Sequence, residues 1–200
     1  MKKLNIAFDI DGVLADFMGP MLEILNHRHS KLITKEDCVD YTPTTKEGHP
    51  DTHITNQEWS STFTWFEDAG GYAVLKPLEH AVQVINRLYD VGHNIYLVTA
   101  RKSEFRKSTE LFLIINKVKY HKLHMTTKGK GSILKKLEVD VFVDDHPNNI
   151  MDGLKVGIKD SILMTAPFNE SWKNADKAVE RVNNLVEVER IIEYLVEGKK

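Results

Sequence analysis

A short apolar run, Leu4-Asn5-Ile6-Ala7-Phe8, ends abruptly at Asp9-Ile10-Asp11-Gly12-Val13-Leu14-Ala15-Asp16. This reads as a buried strand leaving the core with carboxylates at its exit. In an extended strand residues i and i+2 face the same way, so Asp9 and Asp11 are expected to converge. Two like charges that close need a shared proton or a shared cation. Gly12 then lets the chain turn away with little bulk near whatever the carboxylates hold. A structural protein has little use for the arrangement, whereas an enzyme needing a nucleophilic carboxylate, an acid/base carboxylate and a hard metal does. A calcium-binding loop is excluded, because it would require Glu at its twelfth position, where Pro20 stands.

Further apolar runs with the same kind of ending recur downstream. Asn94-Ile95-Tyr96-Leu97-Val98 leads to Thr99, and Val139-Asp140-Val141-Phe142-Val143 leads to Asp144-Asp145. Short strands are also expected at 122–125 and 161–164. Helical spacing fills the intervals: a helix begun by Pro77 and stopped by Gly92, one over 103–117, one across Ile133, Leu134 and Leu137, and a closing helix over 175–197. Strands alternating with helices predict an α/β fold, a parallel sheet covered by helices on both faces. In such sheets ligands gather at the carboxyl ends of the strands, where Asp9, Asp11, Thr99, Asp144 and Asp145 all fall.

Residues 17–75 interrupt the alternation. A stretch of that length is too long for a structureless loop, so a small, mainly helical insertion is expected, opened by a helix carrying Met18, Met21, Leu22, Ile24 and Leu25. The division is then a core of 1–16 and 76–200 with an inserted unit at 17–75. Two hundred residues suit one substantial core with an appendage. A net charge of −2 argues against a broad nucleic-acid surface, and no apolar run approaches the length of a membrane span. Cys38 is the single cysteine, which fits a reducing compartment, and the expectation is a soluble cytoplasmic protein. His49 and His53 are spaced i, i+4, but with no helix signal around Pro50 a zinc site is not expected.

The octet beginning at Asp9 resembles the nucleophile motif DxDGxxxD of the haloacid dehalogenase-like phosphohydrolases. Leu97-Val98-Thr99-Ala100-Arg101 resembles their second motif, and Asp144-Asp145-His146-Pro147-Asn148-Asn149 their acidic fourth motif, DDxPxN. The resemblance implies a Rossmann-like core and a magnesium ion held by Asp9, Asp11 through its backbone carbonyl, Asp144 and Asp145. It implies Asp9 as nucleophile, Asp11 as acid and base, and Thr99 and Ala100 as phosphate-binding. A phosphate-binding lysine is also required, and Thr126-Thr127-Lys128-Gly129-Lys130-Gly131-Ser132 offers Lys130, with Lys128 as alternative.

More narrowly, Phe8–Asp16, Leu75-Lys76-Pro77-Leu78, Val141–Pro147, Pro167-Phe168-Asn169 and Arg181-Val182-Asn183-Asn184 resemble the 5′(3′)-deoxyribonucleotidases. In that family a small helical cap supplies aromatics that sandwich the nucleobase, and Phe17, Trp65 and Phe66 are the candidates, with Trp59, Phe63 and Tyr72 behind them. The resemblance implies a phosphomonoesterase acting on nucleoside monophosphates, with a homodimer left open. Two alternatives stand beside it: a phosphatase for another small ester such as a sugar phosphate, and a catalytically silent nucleotide-sensing protein.

Overall fold

Six parallel strands in the order β5-β4-β1-β6-β7-β8 form the central sheet. The structure, a computed structural model, describes residues 2–38, 53–173 and 179–198. β1 (Asn5–Phe8) lies in the middle, paired with β4 (Asn94–Thr99) on one side and β6 (Val141–Asp144) on the other. β5 (Lys122–Met125) extends the sheet beyond β4, while β7 (Asp160–Met164) and β8 (Val179–Val182) extend it beyond β6.

Alternation along the strands divides the interior into two apolar layers. Ile6 and Phe8 of β1, Ile95 and Leu97 of β4, and Val141 and Val143 of β6 pack in one cluster. Buried residues of α3 (Ala81–Asp90), α4 (Arg106–Ile115) and α7 (Leu185–Glu197) complete that layer. Ala7, Val98, Phe142 and Leu163 point the other way, toward Leu134 of α5 (Gly131–Lys136) and Ile150 of α6 (Pro147–Lys155). This two-sided burial explains why the central strands read as continuous apolar runs. Asp9 continues the phase of Ala7, and Asp144 that of Phe142, so both are carried toward the α5 and α6 side. Thr99 has the opposite phase, with Leu97.

Three expectations about element boundaries change. Pro77 does not begin a helix: it pairs with Ala15 in a two-stranded antiparallel ribbon of β2 (Ala15–Asp16) and β3 (Lys76–Pro77), and α3 begins only at Ala81. The closing helix is not continuous. Val179 and Val182 mimic helical spacing but belong to β8, where β-branched side chains fit a pleated sheet. Asn184 then caps α7, its side chain accepting from the Glu187 N–H. The helix expected over 103–117 is confined to α4, preceded by a single 3-10 turn at Ser103–Phe105.

The segment between β2 and β3 holds α1 (Met18–His29) and α2 (Asn56–Asp68), which pack against each other. Thr55 and Glu58 form a capping box at the start of α2, Glu58 N–H donating to Thr55 Oγ1 at 3.1 Å and Thr55 N–H to Glu58 Oε2 at 2.8 Å. Asp16 accepts from the Gly19 N–H at 3.1 Å near the start of α1 and pairs with Lys35 Nζ at 2.8 Å. That is a local structural task for the last residue of the opening motif. His49 and Pro50 lie outside the described residues.

Ile162 of β7 is fully buried in the larger layer. Ile162→Ala should therefore cost about 2–5 kcal/mol of stability, read as a lowered urea midpoint.

Candidate active site

At the carboxyl ends of the strands, side chains separated by more than a hundred residues meet around one cavity of about 430 Å³. Its lining includes Asp9, Asp11, Phe17, Phe63, Tyr72, Thr99, Ala100, Arg101 and Asp145. The size suits a small organic molecule.

The floor is acidic and buried. One carboxylate oxygen from each of Asp9, Asp144 and Asp145 lies within 4.8 Å of the others. Asp9 follows the last residue of β1 and keeps the ladder going, its N–H donating to the Val143 carbonyl at 2.9 Å. Asp144 ends β6, where its Oδ1 accepts from the His146 N–H at 2.8 Å and from Asn149 Nδ2 at 3.0 Å. The following residue is fixed through its backbone: Asn169 Nδ2 donates to the Asp145 carbonyl at 2.7 Å, and Arg181 of β8 donates to Asn169 Oδ1 at 2.8 Å. Gly12 sits against this turn with φ +75°, and a Cβ there would overlap the Asp145 carboxylate. The glycine of the opening motif is thus required twice, by conformation and by space.

Lys130 joins the carboxylates. It stands immediately before α5, fully buried, with Nζ 2.8 Å from Asp9 Oδ1 and 2.7 Å from Asp144 Oδ2. The β-alternation above explains the geometry, since both acids point to the side from which α5 approaches. Lys128 is exposed, and its backbone N–H donates to Thr126 Oγ1 at 3.2 Å.

Burial raises the Asp9 pKa first; Lys130 pulls it back and the charges of Asp144 and Asp11 add to the rise, leaving it at about 7. Asp145 is pushed well above the usual carboxylate range by burial and by Asp144. For Lys130 burial works against the charge, but Asp144 and Asp9 outweigh it and its pKa is raised. One buried ammonium therefore faces three carboxyls, of which two resist ionisation. A hard, all-oxygen donor set short of positive charge is the kind that a divalent cation of the magnesium, manganese or calcium type completes.

Asp11 meets Asp9 at the same cavity, but not along an extended strand. The strand ends at Phe8, and the Ile10 carbonyl collects the N–H groups of Leu14 and Ala15, both at 2.8 Å, so the chain curls instead of extending. Asp11 still lines the cavity, but its carboxylate is held by Arg101, with Nε to Oδ2 at 2.8 Å and Nη2 to Oδ1 at 2.6 Å. Thr99, buried at the end of β4, lies beside this pair, and its Oγ1 accepts from the Arg101 N–H at 3.2 Å.

The opposite wall is aromatic. Phe17 packs edge-on against Phe63 and Phe66 with centroids 5.9 and 5.6 Å apart, and Tyr72 lies stacked 6.4 Å from Phe17. Two of the three expected base-stacking residues do not line the cavity. Phe66 is buried beneath it, wedged against Phe17 and Tyr72. Trp65 is 47% exposed on another face, over a surface depression with Pro20 and Arg28. Helical phase accounts for Trp65: on α2, Phe63, Phe66 and Glu67 share a face and Trp65 falls off it, while Phe66, on that face, is covered by Phe17 and Tyr72. Phe63 and Tyr72 take those places in the wall.

Two polar residues of the wall escape sequence reasoning. Glu67, nearly buried, accepts from Tyr72 Oη at 3.2 Å and from Lys102 Nζ at 2.9 Å. Lys102 follows the Thr99-Ala100-Arg101 turn, so the pair ties α2 to the loop after β4. No sequence signal marks Glu67, whose burial depends on packing between distant segments. Arg101 carries a weak signal in its position directly after the second motif.

Among the described residues, no helix is long and apolar enough to cross a membrane. A family model described as 5′ nucleotidase, deoxy (Pyrimidine), cytosolic type C protein matches residues 2–199. A nucleotidase of Clostridium acetobutylicum is 25% identical over 198 residues, spanning 98% of this chain and 97% of its own length. A Staphylococcus aureus protein named "Putative 5′(3′)-deoxyribonucleotidase" is 24% identical over 197 residues, spanning 95% and 96%. In fold, the chain is similar to a haloacid dehalogenase-like family hydrolase from Xanthomonas campestris, with TM-score 0.62, 9% identity and 99% of each chain covered. The magnesium-bound structure of YfnB from Bacillus subtilis superimposes with TM-score 0.57 at 14% identity, covering 96% of this chain and all of that one. Joined to a parallel sheet that carries the acidic motifs at its strand ends, the match places this chain in the 5′ nucleotidase, deoxy (Pyrimidine), cytosolic type C family, a phosphoric monoester hydrolase on the haloacid dehalogenase-like fold.

Proposed function

We propose that the protein hydrolyses nucleoside monophosphates, deoxynucleotides among them, to nucleoside and phosphate through an aspartyl-phosphate intermediate on Asp9, with Mg²⁺ as its divalent ion. One observation carries the reading: the buried carboxylates Asp9 and Asp145, with the Lys130 ammonium behind them 2.8 Å from Asp9, face a wall of Phe17, Phe63 and Tyr72 across one cavity. A nucleotide has those two chemistries at its two ends. The name of the Staphylococcus aureus relative supports the same substrate class.

In this reading residues 1–16 and 76–200 are the catalytic core, and 17–75 a cap that sets substrate specificity. Asp9 attacks phosphorus in line, the ester oxygen departs with a proton from Asp11, and Asp11 then takes a proton from the water that releases phosphate. Thr99 Oγ1, the N–H of Ala100 and the Lys130 ammonium hold the equatorial oxygens, so most of the work is positioning and charge neutralisation. Asp9, Asp144, Asp145 and the Asp11 backbone carbonyl would hold Mg²⁺, which when bound supplies positive charge to the phosphoryl oxygens. Cys38, buried with its thiol pushed up to about 11 by burial and the nearby Asp37 and Glu36, suits a reducing cytoplasm.

A phosphate-release screen over deoxynucleotides, ribonucleotides and sugar phosphates, with Mg²⁺ or with chelator, tests the proposal. Metal-dependent release from nucleotides is expected. Release confined to sugar phosphates would overturn the substrate class, and release under chelation would overturn the metal. Asp9→Asn should lower kcat on the order of 10⁴-fold or more while leaving the melting transition in place.

The cap assignment is tested at two aromatics. Phe63→Ala should raise KM for nucleotides about 5- to 150-fold, the equivalent of about 1–3 kcal/mol of stacking. Trp65→Ala should leave KM within error, because Trp65 lies off the cavity.

The raised Asp9 pKa also predicts how stability depends on pH. Its folded value of about 7 lies above its unfolded value near 4, so native Asp9 keeps a proton that the unfolded chain has lost. That contribution is complete below about pH 4 and is lost as pH rises through about 7. Metal-free protein should therefore lose melting temperature across this window, and Asp9→Asn should flatten the loss. Added Mg²⁺ should raise the melting temperature more at pH 8 than at pH 5, since it binds the ionised carboxylates.

A further inference from the structure

Arg101 is the most deeply buried cation of the cavity wall that the mechanism above leaves unused. Its side chain is 1% exposed. Each part of its guanidinium is engaged: Nε and Nη2 form a fork on Asp11 at 2.8 and 2.6 Å, and Nη1 donates to Thr109 Oγ1 of α4 at 3.1 Å. One face lies over the Tyr72 ring, 4.1 Å from its centroid. Burying a guanidinium this completely costs far more than a general need for positive charge would justify, unless its geometry is used.

We propose that Arg101 is a positioning residue that fixes the Asp11 carboxyl for proton transfer to the departing ester oxygen. The inference rests on the acid/base role assigned to Asp11 above. A fork of two parallel hydrogen bonds sets both the plane and the rotation of a carboxylate, which a lysine ammonium, as a point charge, does not. The fork occupies only part of the acceptor capacity of a carboxylate, whose two oxygens offer about four lone-pair sites. Positions facing the cavity are left for the proton that moves. Tyr72 and Thr109 in turn hold the guanidinium, so a residue of the wall and one of α4 both reach Asp11 through Arg101.

The step balances without a further reactant. The bond from phosphorus to the ester oxygen breaks as the bond to Asp9 forms. The electron pair leaves with the ester oxygen, which receives the Asp11 proton, and Asp11 is left as a carboxylate facing Arg101. A nucleoside alkoxide needs that proton in order to leave. A p-nitrophenolate does not, because it is a stable anion. Misplacing Asp11 must therefore damage the first reaction and spare the second, whereas losing a phosphate ligand damages both alike.

The test compares wild type, Arg101→Lys and Thr109→Val in Mg²⁺, measuring kcat/KM for a nucleoside 5′-monophosphate and for p-nitrophenyl phosphate. In a phosphoenzyme mechanism this ratio reports the steps up to leaving-group departure. Inhibition by inorganic phosphate is measured alongside as a separate readout of phosphate binding. Arg101→Lys should lower nucleotide kcat/KM about 100-fold, the scale of a misplaced catalytic group, with under about 5-fold loss on the aryl ester and unchanged phosphate inhibition. Thr109→Val should shift the same ratio in the same direction by about 3- to 10-fold, and it carries the test if Arg101→Lys does not fold. Equal losses on both esters, weakened phosphate inhibition that accounts for the loss, or an unchanged ratio in the variant that folds would each overturn the proposal. Where wild type accepts another alkyl phosphate in place of nucleotides, the substrate class fails and the ratio is taken with that ester. A wild type that hydrolyses no phosphate ester overturns both.

Discussion

The double ion pair of Lys130 with Asp9 and Asp144 is the interaction on which the arrangement turns. Two strand ends and the start of α5 meet there, each bringing an ionisable group that could not be buried without a partner. Paired, the three groups tie β1, β6 and the start of α5 together. Yet the pairing is incomplete, because Asp145 adds a third carboxyl to a site with one ammonium. The shortage of positive charge is the chemical content of the site. It favours a proton or a cation, and it makes a phosphoryl oxygen tolerable only when more positive charge is present.

The sheet makes that shortage possible. Alternation along β1 and β6 aims Asp9 and Asp144 to the side of α5, while the opposite phase of β4 sets Thr99 on the far side of the same crevice. A group placed between them meets the Asp9 carboxylate on one flank and the Thr99 hydroxyl on the other. Neither flank needs an irregular backbone. The irregularity is concentrated in the curl from Ile10 to Ala15, where the chain leaves the sheet and turns toward β2.

The parallel α/β fold is legible in the sequence because fully buried strands are written as unbroken apolar runs. The acids that end those runs are legible for the same reason, since a charged residue stands out against its apolar neighbours. Legibility falls where a residue's position depends on a partner elsewhere in the chain. Asp11 is paired with Arg101, ninety residues away in sequence, and no local spacing rule could announce that partner. Trp65 and Phe66 resemble a stacking pair until the phase of α2 separates them. Val179 and Val182 carry helical spacing and yet form an edge strand, because pairing with β7 overrides so short a pattern. Glu67 gives no warning at all, its burial being a property of the folded wall alone.

The chain of hydrogen bonds from Arg181 through Asn169 to the Asp145 carbonyl has a consequence for how the molecule comes into being. The acidic turn after β6 is braced by an arginine thirty-six positions further along the chain. A nascent polypeptide emerges from its amino end, so Asp9, Lys130 and Asp144 can meet while β8 is still unmade. The turn that carries Asp145 then lacks its bond until Asn169 follows, and Asn169 lacks Arg181 until β8 pairs with β7. Residues 169 and 181 thus complete the site after its acidic residues have been made, and a chain stalled before residue 169 would hold those acids without the bond that fixes their turn.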